Sequence, residues 1–169
     1  AKLALKKTAE MTALCGVHEK RLSQKAAIDW IIDWANNITF LDAEGSYLQN
    51  TRAINALRSI TIKTEGEAHS EVRDTGRTLS ALEQAEATSK ETLPAGLNFN
   101  LAPFLGLDSR NVNVRITINT EEAKPSVTLR IVGYEKLVHV LGEELVTKIG
   151  AELEAKGFSV FAGTYTPGK

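Results

Sequence analysis

Two stretches of the chain alternate apolar and polar residues without a break. In the first, Val112, Val114, Ile116 and Ile118 alternate with Asn113, Arg115, Thr117 and Asn119. In the second, Val127, Leu129 and Ile131 alternate with Thr128 and Arg130. Successive side chains of a strand point to opposite faces, so each stretch has one apolar and one polar side. Most of the apolar residues are β-branched, which suits a half-buried pleat. The polar link Thr120–Pro125 joins them, and together they predict a β-hairpin. A slip of one residue would turn the apolar set to water, so the register is strongly specified.

The period then changes. Leu137, Val138, Leu141, Leu145, Ile149 and Leu153 recur at spacings of one, three and four, which predicts an amphipathic helix over Glu135–Lys156. Glu144 and Lys148 stand in the favourable i, i+4 order. Gly157 follows as a C-terminal cap. Beyond it Phe158, Val160 and Ala162 alternate as a short last strand. This long helix is expected to cover the apolar side of the hairpin.

Upstream, Ala1–Leu14 has helix-forming composition and ends at Gly16. Ser23 is an N-cap for a helix over Gln24–Asn37, with Ala27, Ile28, Ile31, Ile32 and Ala35 as its stripe. Leu41–Ser46 reads as a turn-rich loop and Tyr47–Leu57 as a helix. Ser59–Thr64 follows as a strand through Ile60 and Ile62. Glu65-Gly66 is a turn, Ala68–Arg73 a polar strand, and Thr78–Ala87 has helical composition. Leu97, Phe99 and Leu101 alternate with Asn98 and Asn100 in a strand that stops at Pro103. The expected fold class is α+β: an antiparallel sheet packed on one face by a long C-terminal helix, with additional N-terminal helices. Residues 1–22 form a helical extension and residues 23–169 a single domain. The chain opens at Ala1 without methionine and reads as part of a longer protein.

Composition narrows the function classes. The 169 residues carry a net charge of −1 and are 43% hydrophobic, as in an ordinary globular domain. Neither half is strongly basic or acidic, so no global charge points to nucleic acid or membrane. A local basic patch stays open, because net charge hides distribution. The single cysteine, Cys15, rules out an internal disulfide framework and suggests a reducing, cytoplasmic location. No apolar run is long enough for a membrane span.

No constellation specifies a reaction. His18, His69 and His139 lie far apart in sequence, outside any zinc-binding spacing. Glu135, His139 and Glu143 share one helix face, but two turns separate the outer pair. Phosphate-binding glycine loops and the nucleophile elbow are lacking, and no cofactor is implied. Two features remain. Trp30 and Trp34, one turn apart, could anchor an interface or pack in the core. Arg115, Arg130 and Lys63, with Asn98, Asn100 and Asn113, could share the polar face of the sheet and hold phosphates or base edges. That face lacks the aromatic rings of a single-strand stacking platform.

Several stretches carry a resemblance in their order. They are Ser23-Gln24 leading into Ala27-Ile28-Asp29-Trp30-Ile31, then Leu93-Pro94 with Phe99 and Pro103-Phe104-Leu105-Gly106. Arg115-Ile116-Thr117-Ile118, Leu129-Arg130-Ile131-Val132 with Glu135, and Gly163-Thr164 follow. As an ordered set, from Leu22 to Tyr165, they resemble the phage and prophage family typified by the YfdQ protein, a domain of unknown function. The resemblance implies phage or prophage origin and a role inside the host cell, and brings no catalytic residues. The expectation is a non-enzymatic binding or accessory protein whose partner is a host or phage protein, its own copies or nucleic acid. A nucleic-acid binder using the arginine-bearing face is one alternative. A metal-dependent enzyme using scattered carboxylates and His139 is the other.

Overall fold

The structure, a computed structural model, describes residues 6–60, 92–119 and 125–159. The strand through Ile62, Lys63, the turn at Glu65-Gly66, the polar strand with His69, the helical composition of Thr78–Ala87, most of the hairpin link and the strand positions Val160 and Ala162 lie outside them. The described residues form an α+β fold, as the patterning predicts. It contains helices α1 (Ala9–Val17), α2 (Gln24–Asp33), α3 (Asn50–Ser59) and α4 (Tyr134–Glu154). The strands are β1 (Arg21–Ser23), β2 (Ile38–Leu41), β3 (Tyr47–Leu48), β4 (Gly96–Leu101), β5 (Arg110–Asn119) and β6 (Ser126–Ile131). They make one antiparallel sheet in the order β1-β6-β5-β4-β2-β3.

The hairpin of β5 and β6 lies at the centre of the sheet. Val114 pairs with Ile131, Ile116 with Leu129 and Ile118 with Val127, so apolar meets apolar across the ladder. All seven apolar residues of the pattern are at most 4% exposed. β4 adds Leu97, Phe99 and Leu101 to the same face, and β2 adds Ile38 and Phe40. Helices cover that face. Met11, Leu14 and Val17 of α1, Ala27, Ile28 and Ile31 of α2, and Ala53, Ala56 and Leu57 of α3 join the strand residues in one core cluster.

The long helix α4 packs against this cluster through Tyr134 and Leu137. Farther along, its fully buried positions are Leu141 and Gly150, while Val138 and Val140 are exposed. At 21 residues it is about 31 Å long. Its second half is held by polar contacts to the first residue of β5 and to the loop before it. Arg110 Nη2 donates to both carboxylate oxygens of Glu144, at 2.9 and 2.6 Å, and Lys148 Nζ donates to the Gly106 carbonyl at 2.5 Å. Glu144 and Lys148 therefore spend their charges on tertiary partners, not on the i, i+4 pair that their spacing suggests. The helix ends as expected at Gly157, which sits at φ +82°. Gly157 N–H donates to the Glu154 carbonyl and Phe158 N–H to that of Leu153, the two bonds of a Schellman motif.

Several boundaries differ from the sequence reading. Helix α1 starts at Ala9, where the Thr8 hydroxyl accepts from Met11 N–H at 3.2 Å, and it runs through Gly16. Lys7 forms a β-bridge with Phe104, which takes Lys7 out of the helix. Helix α2 stops at Asp33, and Ala35–Asn37 is a turn of 3-10 helix. Ser23 caps α2, its hydroxyl accepting from Ala26 N–H at 3.2 Å. Ile32 is exposed, because Trp30 and Trp34 turn inward in its place. Tyr47 and Leu48 are a strand, not the start of a helix. Ser46 N–H donates to Asp42 Oδ1 at 2.7 Å and closes a tight loop, which folds Tyr47 back against Leu41 and Leu48 against Phe40. Strands this short contain too few residues for a period to show.

Candidate functional site

Directly opposed residues of antiparallel strands lie on the same face, so the register fixes the composition of the outer side. Three rows of side chains can be read across it. Thr39, Asn98 and Asn113 form one. Arg21, Thr128 and Thr117 form another. Tyr47, Leu41, Gly96, Arg115 and Arg130 form the third and longest. Asn100 and Asn111 add an amide pair, Asn100 Nδ2 donating to Asn111 Oδ1 at 2.9 Å. Asn111, Asn113, Arg115, Thr117, Arg130 and Thr39 are all exposed.

Charge is segregated within this near-neutral chain. The charged residues of the six strands are Arg21, Arg110, Arg115 and Arg130; none of the strands contains an acidic residue. Among the described residues most carboxylates lie on helices, with Glu135, Glu143, Glu144, Glu152 and Glu154 on α4 alone. Arg110 faces inward to Glu144. The other three lie on the outer face. Arg21 Nε donates to the Ser126 hydroxyl at 2.8 Å. Arg130 lies 3.2 Å from Glu19, both side chains more than half exposed, so that ion pair is weak. Arg115 has no ion-pair partner among the described residues, and it stands directly opposite Arg130. Like charges opposed on adjacent strands repel. An anion lying between them would turn that repulsion into attraction for both.

The sequence-predicted site residues separate. Arg115 and Arg130 come together with Asn98, Asn100 and Asn113 on one face, while Lys63 is outside the described residues. Trp30 and Trp34 are half-buried against Phe99. Their ring centroids are 5.4 and 6.0 Å from the phenyl ring, stacked and edge-on respectively. Trp30 Nε1 is buried there without a hydrogen-bond partner among the described residues. His139 Nε2 is 3.4 Å from Glu143 Oε1 on a solvated helix face. Among the described residues, no three His, Cys, Asp or Glu side chains group closely enough to hold a metal ion.

One cluster escaped the sequence reading because its members are distant in the chain. Tyr134 OH lies 3.9 Å from Cys15 Sγ, and Lys7 Nζ lies 3.8 Å from the same sulfur. The His18 ring tilts against Tyr134 at 4.8 Å, and His18 Nδ1 accepts from Ile131 N–H at 3.2 Å. The Tyr134 hydroxyl is pushed above its ordinary value of 10.0, first by its contact with Cys15 and by that group's charge, then by partial burial and Glu135. These contacts tie α1 to β6 and α4.

The family profile of DUF2303, described as an uncharacterized conserved protein, matches residues 1–165. No curated protein and no solved structure matches the chain.

Proposed function

The chain belongs to the DUF2303 family of uncharacterized conserved proteins, and we propose that it is a non-enzymatic binding protein whose working surface is the open polar face of its sheet. The observation that carries this reading is the segregation of charge. Acid-free strands present Arg115 and Arg130 side by side to solvent, flanked by asparagines that can donate and accept. Guanidinium groups pair well with phosphate oxygens, and amides add hydrogen bonds to sugars and base edges. Nucleic acid is the partner with this chemistry. The ordered stretches that resemble the phage and prophage family support an origin in such an element and a place of action inside the host cell.

Binding carried by such contacts weakens as salt rises, because each neutralised phosphate releases condensed cations. Fluorescence anisotropy of a labelled oligonucleotide titrated with the protein at several salt concentrations tests this. The double variant Arg115→Glu, Arg130→Glu should lose most of the affinity. In the double variant Arg115→Ala, Arg130→Ala, the slope of log K against log salt should flatten by about 1.4, the single-strand value for two lost phosphate contacts. Unchanged affinity in the charge-reversed protein ends the proposal.

A further inference from the structure

From the longest row on that face, and resting on the reading just given, we infer that the partner is a single strand whose base stacks on Tyr47 while its phosphates meet Arg115 and Arg130. Tyr47 is 64% exposed and lies outward on β3. From it the row runs through Leu41, Gly96 and Arg115 to Arg130, crossing five strands in register. Neighbouring strands are about 4.8 Å apart, so the four steps span about 19 Å, room for a handful of nucleotides.

The order of side chains along the row fits that occupant. An aromatic ring and a half-buried leucine make an apolar end. Two guanidinium groups make a cationic end. Between them Gly96 leaves the sheet bare. Its own reason for being glycine is local: a Cβ there would lie 3.1 Å from the Val114 carbonyl oxygen. The consequence on the outer face is a gap in which a sugar can lie close to the backbone. An exposed tyrosine on an edge strand is common by itself. Its register with a bare glycine and two opposed arginines is what assigns it a part in binding. A duplex keeps its bases paired and stacked inside, so its phosphates could reach the arginines while nothing reaches the ring. A single strand offers both.

The test compares a labelled oligothymidine with an oligothymidine–oligoadenine duplex of the same length, using the whole chain. The native protein should bind the single strand more tightly. Tyr47→Ala should weaken that binding by about tenfold to a hundredfold and leave the duplex unaffected, while Tyr47→Phe keeps native affinity. Ultraviolet crosslinking to the oligothymidine should place the adduct on Tyr47. The inference is overturned if Tyr47→Ala binds the single strand as the native protein does, if it weakens strand and duplex equally, or if the native protein prefers duplex. In the first and last of these cases, loss of binding in the charge-reversed arginine variant would leave the broader reading of the face standing. Binding to neither oligonucleotide would remove both.

Discussion

On β5 the inward residues Val112, Val114, Ile116 and Ile118 are at most 4% exposed, while outward Asn111, Asn113, Arg115 and Thr117 are open to solvent. The backbone is the same for both sets, and so are the ladder bonds to β4 and β6. What differs is the neighbour. Inward residues meet α1, α2 and α3, and their packing supplies the driving force for folding. Outward residues meet no described helix and stay in water, so substitutions there should cost little stability, and the proposed binding surface is placed on that side. Among stretches of similar strand pattern, this makes the polar face, and not the core, the place to look for function.

The difference can be attacked from both sides. Phe99 is fully buried at the centre of the inner face, between Trp30, Trp34 and the strands. Phe99→Ala should cost about 3–5 kcal/mol in chemical denaturation, a large part of the roughly 5–15 kcal/mol typical of a domain. A loss under about 1 kcal/mol would mean that the inner face is not the packed one. Arg115 is sixteen positions away in sequence and pairs with Gly96 on the opposite side of the same sheet. Arg115→Ala should alter unfolding by no more than about 0.5 kcal/mol while weakening oligonucleotide binding. Equal damage to folding would erase the contrast between the faces.

A smaller effect lies at the edge of the covered side. The Tyr134 hydroxyl is held above its unfolded value of 10.0 chiefly by Cys15. The folded state therefore keeps that proton when the unfolded chain has begun to lose it. This contribution to stability is fully present below pH 10.0 and is lost as pH rises through the higher folded value. In alkaline unfolding curves, Cys15→Ala should flatten the decline above that pH. An unchanged curve would show that the thiol does not govern the tyrosine.

Much of this was readable in the residues. The hairpin, β4, the cap at Ser23 and the stop at Gly157 each follow from period or from local hydrogen-bond chemistry. Arg115 and Arg130 could be placed on one polar face because both alternate out of phase with the valines and isoleucines. The short strands were not readable. β1, β2 and β3 have three, four and two residues, and long-range pairing defines them. Tyr47 is a case of this: its partner Leu41 is set by the loop that Asp42 closes. Its ring lies on the outer face of the sheet, a position that a helical reading of Tyr47–Leu57 does not give it.

By itself the chain determined which residues of each long element face the same way, since that needs only the geometry of a strand or a helix. It could not decide what lies on each face. The stripe of α4 is as regular as that of α2, yet α4 reaches the core cluster only through Tyr134 and Leu137, while the short helices α1, α2 and α3 supply most of the residues packed on the sheet. Amphipathicity states that a surface avoids water; only the competition among helices for one finite apolar sheet settles which of them succeeds, and leaves the other side of that sheet to arginine, asparagine and tyrosine.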